Sequence, residues 1–383
     1  MKQISSDLKI LSTTIEVLRF PLALAVIFIH MGPSVVNLID AKFSLFTHEG
    51  LYNLTGIVFS HVLTHIAVPC FFLISGFLFF LNFRKWSWLE YRKKMKSRLT
   101  TLFIPYILWN VTPWLLAIIK KGVKAVYDNS MVGQLRQYVI DCNFNILYDC
   151  NQWGEERTNW LGKHLLMTGP YDLPLWFLRD LIFMSVLTPI IFYLVKRLKL
   201  WYIVVLFMAY ISRIWILIPG LHITACFYFS LGAFLSLNRI NIISSIHKFR
   251  YIIVPLSIIL FILCVIYDGM NTVMGQNIYP FFIFTTVFSV FYIVALVVEK
   301  YDIKPNKLLV SSCFFIYAFH ALSLPGIGSP LSLCTRVLNT LFPDFLIANY
   351  LIVPFVTAVV CILIMQIGKK ILPGVTKWYA GNR

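Results

Sequence analysis

Apolar residues fill this chain in long blocks, and charge gathers in the gaps between them. About ten blocks lie near 15–36, 57–81, 99–119, 173–195, 199–218, 221–237, 251–267, 279–298, 308–324 and 346–368. Many stretches reach the roughly 20 residues that a helix needs to cross a bilayer. The pattern predicts an all-α polytopic membrane protein of about ten transmembrane helices, in one membrane domain over residues 1–383. The first block is long and is followed by more membrane segments, so it reads as a retained helix rather than a cleaved signal. Between the third and fourth blocks, about Lys120 to Asp172, acidic and basic residues balance and Trp153 and Trp160 appear. This insert is expected to form a lid over one mouth. No repeat period or low-complexity tract stands out.

Composition agrees with the pattern: 59% hydrophobic, 13% charged, mean hydropathy +0.79. A soluble domain carries about 25% charged residues. The formal net charge of +17 would suit nucleic acid, but its lysines and arginines sit in short loops beside apolar blocks. Topology and anionic membrane lipid account for them, with no nucleic-acid partner. With the N-terminus inside, one set of loops collects Lys2, Lys9, Arg84, Lys85, the run Arg92-Lys93-Lys94-Met95-Lys96-Ser97-Arg98, Lys196, Arg197, Lys199, Arg239, Lys248, Arg250, Lys300, Lys304, Lys307, Lys369, Lys370 and Lys377. The opposite short loops hold only Lys42 and Arg336. Both termini are therefore expected in the cytoplasm, which requires an even number of spans and makes the Lys120–Asp172 insert extracytoplasmic. Cys142 and Cys150 share that insert and could then form a disulfide, although spacing alone does not decide it.

Arg19 and His30 share the first block. Eleven steps at about 100° return the two side chains to within roughly 20° of one helix face. The same steps at about 1.5 Å separate them by roughly 16 Å along the axis. Lipid penalises both groups, so the stripe should face a protein interior or a water-filled cavity. Glu16 stands three residues before Arg19 and can pair with it. By the same rise per residue, His61, His65, Arg179, Asp180, Arg213 and His320 fall with His30 in the outer half of the membrane. Any one alone reads as a hydrogen-bonded histidine or a snorkelling arginine; convergence of several at one depth points to a site. Arg179 and Asp180 can neutralise each other or hold a substrate hydroxyl. His61 and His65 have the spacing of a helical metal pair but lack a clear third ligand, so no metal is expected there. On the inner side, Arg19 and Arg98 lie deep enough to hold an anionic ligand rather than lipid headgroups.

These residues sit in motifs that resemble the acyltransferase 3 family of multi-pass membrane acyltransferases. The Arg19–x10–His30 pattern with Glu16 is similar to that family's first-helix signature. Further matches follow in family order: Val68-Pro69-Cys70-Phe71-Phe72-Leu73-Ile74-Ser75-Gly76-Phe77-Leu78, Ile104-Pro105-Tyr106-Ile107-Leu108-Trp109-Asn110, Pro174-Leu175-Trp176-Phe177-Leu178-Arg179-Asp180-Leu181, and Ser312-Cys313-Phe314-Phe315-Ile316-Tyr317-Ala318-Phe319-His320. One departure is visible. Family members often carry a second basic residue before the Ile104-Pro105-Tyr106 segment, where Thr100, Thr101 and Leu102 follow Arg98 here.

The resemblance implies an O-acyltransferase of a bacterial cytoplasmic membrane, in the compact form without a fused hydrolase-like domain. Its donor would be cytosolic acyl-CoA, usually acetyl-CoA, with no metal. Its acceptor would be a hydroxyl of an extracytoplasmic glycan or lipid-linked saccharide. On this reading His30 is the candidate general base, with Asp180 and His320 as further catalytic candidates. Arg19 and Arg98 would hold the donor, and Trp176 and Arg179 the acceptor. The rival expectation is a transporter or flippase for a glycan-related substrate, although the internal symmetry common in transporters is not visible.

Overall fold

The computed structural model describes residues 2–31, 47–81, 83–128, 131–142, 144–158, 164–216, 218–269 and 271–382. Lys42 and Trp160 lie outside the described residues, as does the side chain of Cys142 and with it the expected Cys142–Cys150 pairing.

Helix α1 (Lys2–Ile29) contains Arg19 and has Pro21 inside it. It stops at Ile29, so His30 lies in the following turn, its N–H donating to the Ile27 carbonyl at 3.1 Å. The regular helix from Arg19 thus ends one residue short of His30, and the expected continuation to residue 36 falls outside the described residues. The next stretch runs from α2 (His48–Gly56) through a π turn (Ile57–Val62) and a 3-10 turn (Leu63–Ile66) into α3 (Ala67–Phe80). Ser60, in the π turn, donates to the Phe28 carbonyl at 2.5 Å and shares a hydrogen bond with the Tyr350 hydroxyl. The Phe28 carbonyl also accepts from the Met31 N–H at 3.0 Å, so the end of α1 is held by its own turn and by Ser60.

Helix α4 (Trp88–Arg98) carries the basic run and is capped by the Ser87 hydroxyl. A π turn (Leu99–Phe103) joins it to α5 (Ile104–Tyr127). The insert forms α6 (Met131–Cys142) and an antiparallel hairpin of β1 (Asn151–Thr158) and β2 (His164–Gly169). The architecture is helical, as expected, apart from this hairpin. The hairpin belongs to the one polar segment of the chain, where strands need not satisfy every backbone group against lipid. The insert is pinned at its base rather than hanging free. The Tyr106 hydroxyl donates to the Leu147 carbonyl, and the Asp172 N–H to Asn110 Oδ1 at 2.8 Å.

Helices α7 (Trp176–Val186) and α8 (Thr188–Leu198) meet at a 64° bend, with Pro189 in the first turn of α8. There follow α9 (Leu200–Ser212), α10 (Ile223–Leu237), α11 (Ile242–Ile266), α12 (Val273–Tyr301), α13 (Lys307–Phe319), α14 (Pro330–Leu341), α15 (Leu346–Ile371) and α16 (Pro373–Tyr379). Among the described residues, six helical stretches are long and apolar enough to cross a membrane, or seven if the bent pair counts as one. Helices α9, α10 and α13 are apolar but only 13, 15 and 13 residues long. That gives about 20–23 Å, short of a hydrocarbon core about 30 Å thick. Each of the ten apolar blocks lies on a helix, but length supports six or seven crossings rather than ten. Early stops explain the gap: Arg213 ends α9 in a left-handed conformation at φ 56°.

Helices α3 and α10 approach each other through glycine. A Cβ at Gly76 would lie 2.0 Å from the Phe229 carbonyl oxygen, and one at Gly232 2.1 Å from that of Leu73. Small residues permit such backbone proximity between membrane helices. Helix α1 packs against α3, α12 and α13, so the Arg19 stripe is enclosed by protein.

Candidate functional site

Arg19 and Arg98, far apart in sequence, line one cavity of about 140 Å³. Arg19 enters it from α1 and Arg98 from the end of α4. Arg98 Nη2 donates to Ser75 Oγ on α3 at 3.1 Å, and its guanidinium lies over the Phe79 ring. That bond fixes the direction of one fork of the cation. Arg19 makes no hydrogen bond or ion pair among the described residues. Glu16 does not close on it, contrary to the expected i,i+3 pair. An unpaired guanidinium lines the same slot as a second one, among Phe71, Phe177 and Phe314, an arrangement with the chemistry to receive a phosphate or carboxylate.

His30 lines two other cavities. The smaller, about 100 Å³, also receives His65, His222, Trp176, Tyr279 and Tyr317. The larger, about 550 Å³, is a vestibule bounded by α14, Tyr350 and the Leu173-Pro174 segment that ends the insert. Two residues join the three spaces into a series. Tyr317 lines the arginine cavity and the histidine cavity; Pro174 lines the histidine cavity and the vestibule. The Tyr317 hydroxyl donates to the Pro174 carbonyl, so the two partitions are tied together. Arg19 and His30 thus stand at opposite ends of this series, on one helix and the turn that follows it.

His320 follows α13 and is fully buried behind His30, with ring centroids 5.2 Å apart at 48°. Its Nδ1 faces the carbonyls of Ile316 and Tyr317 at 3.0 and 2.9 Å. Two carbonyls accept only from an N–H, so Nδ1 carries the proton and Nε2 the lone pair. Nε2 is buried with no hydrogen-bond partner among the described residues. The neutral His320 ring packs against His30 and backs it without a hydrogen bond between the two rings.

The other outer-half charges do not join this cluster. Arg179 and Asp180 are both buried and pair with each other: Nε and Nη2 each reach Asp180 Oδ1 at 3.0 Å. Arg179 Nη1 also donates to the Tyr148 carbonyl at 2.7 Å, tying the insert to α7. Neither lines the three cavities, so the structure does not bring Asp180 to His30 or Arg179 to an acceptor site. Their mutual neutralisation explains why so deep a pair is tolerated. Arg213 binds the side chains of Gln276 and Asn277. His61 meets buried Asp268 at 2.9 Å, while His65 faces the Ser60 carbonyl and the histidine cavity. The irregular turns over 57–66 break the i,i+4 register, so these two histidines do not act as a pair. Among the expected site residues, His30 and Trp176 line the histidine cavity, Arg19 and Arg98 the arginine cavity, and His320 backs His30.

Sequence reasoning missed His222, Tyr279 and Tyr317 as cavity residues. His222 caps α10 through its ring, accepting from the Thr224 N–H at 3.3 Å, and stacks edge-on to Trp176. The only sequence signal was a histidine beside Pro219 and Gly220, immediately before an apolar block.

Comparison with known proteins follows this geometry. The chain aligns over 60% of its length, at 25% identity across 237 residues, with the succinoglycan biosynthesis protein ExoH of Rhizobium meliloti (strain 1021). The aligned part spans 55% of that relative, about half of it. No solved structure matches the chain significantly. The acyltransferase domain that defines the acyltransferase 3 family matches residues 13–366, so the chain belongs to that family.

Proposed function

We propose that this protein transfers an acyl group, acetyl in the simplest case, from cytosolic acyl-CoA to a hydroxyl of an extracytoplasmic glycan. Family membership supports acyl transfer, and the similarity to a succinoglycan biosynthesis protein supports a polysaccharide acceptor. One observation carries the two-sided reading: on a single helix and its end turn, Arg19 serves an arginine cavity and His30 serves the cavities at the other end. The distribution of Lys and Arg supports a cytoplasmic arginine end with both termini inside, and the similarity to a bacterial protein supports a bacterial membrane. Six crossings already meet the even number that this requires; if the bent pair adds a seventh, one of the short helices must help span the bilayer.

In this mechanism Arg19 and Arg98 hold the phosphates of CoA, and the pantetheine arm passes Tyr317. His30 takes the proton from the acceptor hydroxyl as its oxygen attacks the thioester carbonyl. The carbon–sulfur bond breaks, the thiolate leaves and collects a proton, and an ester and free CoA result. His320 packs behind His30 and keeps that ring in place. Trp176 forms a wall against which the acceptor or acyl group packs.

The test is a proteoliposome assay with labelled acetyl-CoA inside and a cell-envelope glycan extract outside. Label should appear as a base-labile ester on the external glycan, with one CoA released per ester. Intact vesicles that release no CoA and label no glycan with any extract would overturn the reading. Mass spectrometry of surface glycans from cells with and without the gene identifies the acceptor.

A further inference from the structure

The vestibule outside His30 has a one-sided chemistry. Its main wall is α14, which places Ser332, Thr335, Arg336 and Asn339 on the cavity. Their i, i+3, i+4, i+7 spacing makes one stripe of a helix. Cys334 is buried on another face, and Leu331, also buried, adds an apolar contact to the cavity wall. The helix is held firmly. Ser329 and Ser332 close a capping box at its start, and the Leu331 N–H donates to the His320 carbonyl at 3.0 Å. At its end, Asn349 Nδ2 reaches the Leu338 and Phe342 carbonyls and Asn339 Oδ1.

Most of the stripe's polar atoms are already used. The Ser332 hydroxyl serves the cap, the Thr335 hydroxyl donates to the Leu331 carbonyl, and Asn339 Oδ1 accepts from Asn349. Arg336 is different. Its guanidinium makes no hydrogen bond or ion pair among the described residues, and no described carboxylate lines the vestibule. It is also one of only two cations in the outer short loops, a placement that membrane topology does not favour. A wide, hydroxyl-lined space of about 550 Å³ with one free fork-shaped donor suits a saccharide that carries an anion.

We propose that Arg336 selects an anionic acceptor: its guanidinium binds a sugar carboxylate or the diphosphate of a lipid carrier and so presents a nearby hydroxyl to His30. The inference rests on the acyl-transfer reading for its catalytic consequence, but the binding step can be measured without the donor.

The experiment uses the purified full-length protein in nanodiscs. Four ligands are titrated without acyl-CoA, in two pairs: trigalacturonate and its uncharged methyl ester, and a neutral disaccharide on a lipid diphosphate and the same disaccharide free. The charged member of at least one pair should bind about tenfold or more tightly than the uncharged one. Arg336→Gln should abolish that preference, and Arg336→Lys should restore part of it because charge remains while the fork is lost. Preference confined to trigalacturonate assigns the anion to the sugar; preference confined to the lipid diphosphate assigns it to the carrier. Equal binding within both pairs, or a charge preference unchanged in Arg336→Gln, overturns the proposal. Charge-selective, Arg336-dependent binding in a protein that never releases CoA would sink the transfer reading while leaving this binding site standing. Acyl transfer with no charge preference would do the reverse.

Discussion

The rings of His30 and His320 lie 5.2 Å apart, and His320 turns its protonated Nδ1 to backbone carbonyls, leaving Nε2 open. The pair therefore has an order: His30 faces the cavities and His320 stands behind it. If His30 is the base, His30→Ala should lower the transfer rate by about 10²–10⁴-fold, the usual contribution of general base catalysis. His320→Ala should reduce kcat less and leave the acyl-CoA KM unchanged. Because His320 acts through His30, the double variant should be no slower than His30→Ala alone. Initial rates of CoA release from the four proteins decide this. Multiplicative losses would show that the two rings act independently.

Arg19 and Arg98 line one cavity, but only Arg98 is anchored, through Ser75. Removing a charged hydrogen-bonding partner of a phosphate costs about 1.5–3 kcal/mol, roughly 10–100-fold in affinity. Arg19→Ala and Arg98→Ala should each weaken CoA binding by that factor in calorimetry, with acceptor binding unaffected. Ser75→Ala should produce a smaller loss, because Arg98 keeps its charge but not its direction. Unchanged CoA affinity in Arg19→Ala would remove this residue from the donor site.

Tyr317 stands between the arginine and histidine cavities, bonded to the Pro174 carbonyl and packed edge-on against Phe177. Truncating it merges the two spaces and lets water from the vestibule side reach a bound thioester. Tyr317→Ala should therefore raise CoA release in the absence of any acceptor, while the fraction of acyl groups reaching glycan falls. A variant with the wild-type ratio of acceptor-independent to acceptor-dependent release would mean that Tyr317 is not the barrier.

Much of this arrangement was legible before any coordinates. Apolar block length marked the helices, and the cost of burying Arg19 and His30 marked them as candidates, which the structure shows lining cavities. Depth arithmetic also placed His320 correctly beside His30. For Arg179 and Asp180 depth left two readings open because it carries no azimuth, and the two residues close on each other. His61 and His65 share no face, since the π and 3-10 turns at 57–66 reset the helical period that their spacing assumed. His222 was invisible because its role comes from capping α10, a loop geometry that hydropathy does not encode. Arg336 was noticed only as an exception to charge topology; its meaning required knowing that α14 walls the vestibule.

The α3–α10 contact gives a test of stability rather than chemistry. Gly76 and Gly232 each meet the backbone of the opposing helix, and backbone cannot rotate away as a side chain can. Adding one methyl at either position forces the helices apart. Overpacking of this kind costs about 1–3 kcal/mol, so Gly76→Ala and Gly232→Ala should lower the detergent-solubilised Tm by several degrees. Gly133 has nothing within 4 Å of a new Cβ and lies in α6, outside the membrane core, so Gly133→Ala serves as the control. Because α3 also carries Ser75, Phe71 and Ile74 of the arginine cavity, the Gly76 and Gly232 variants should lose CoA affinity along with stability. Unaltered melting of both variants would show that α3 and α10 do not meet through these glycines.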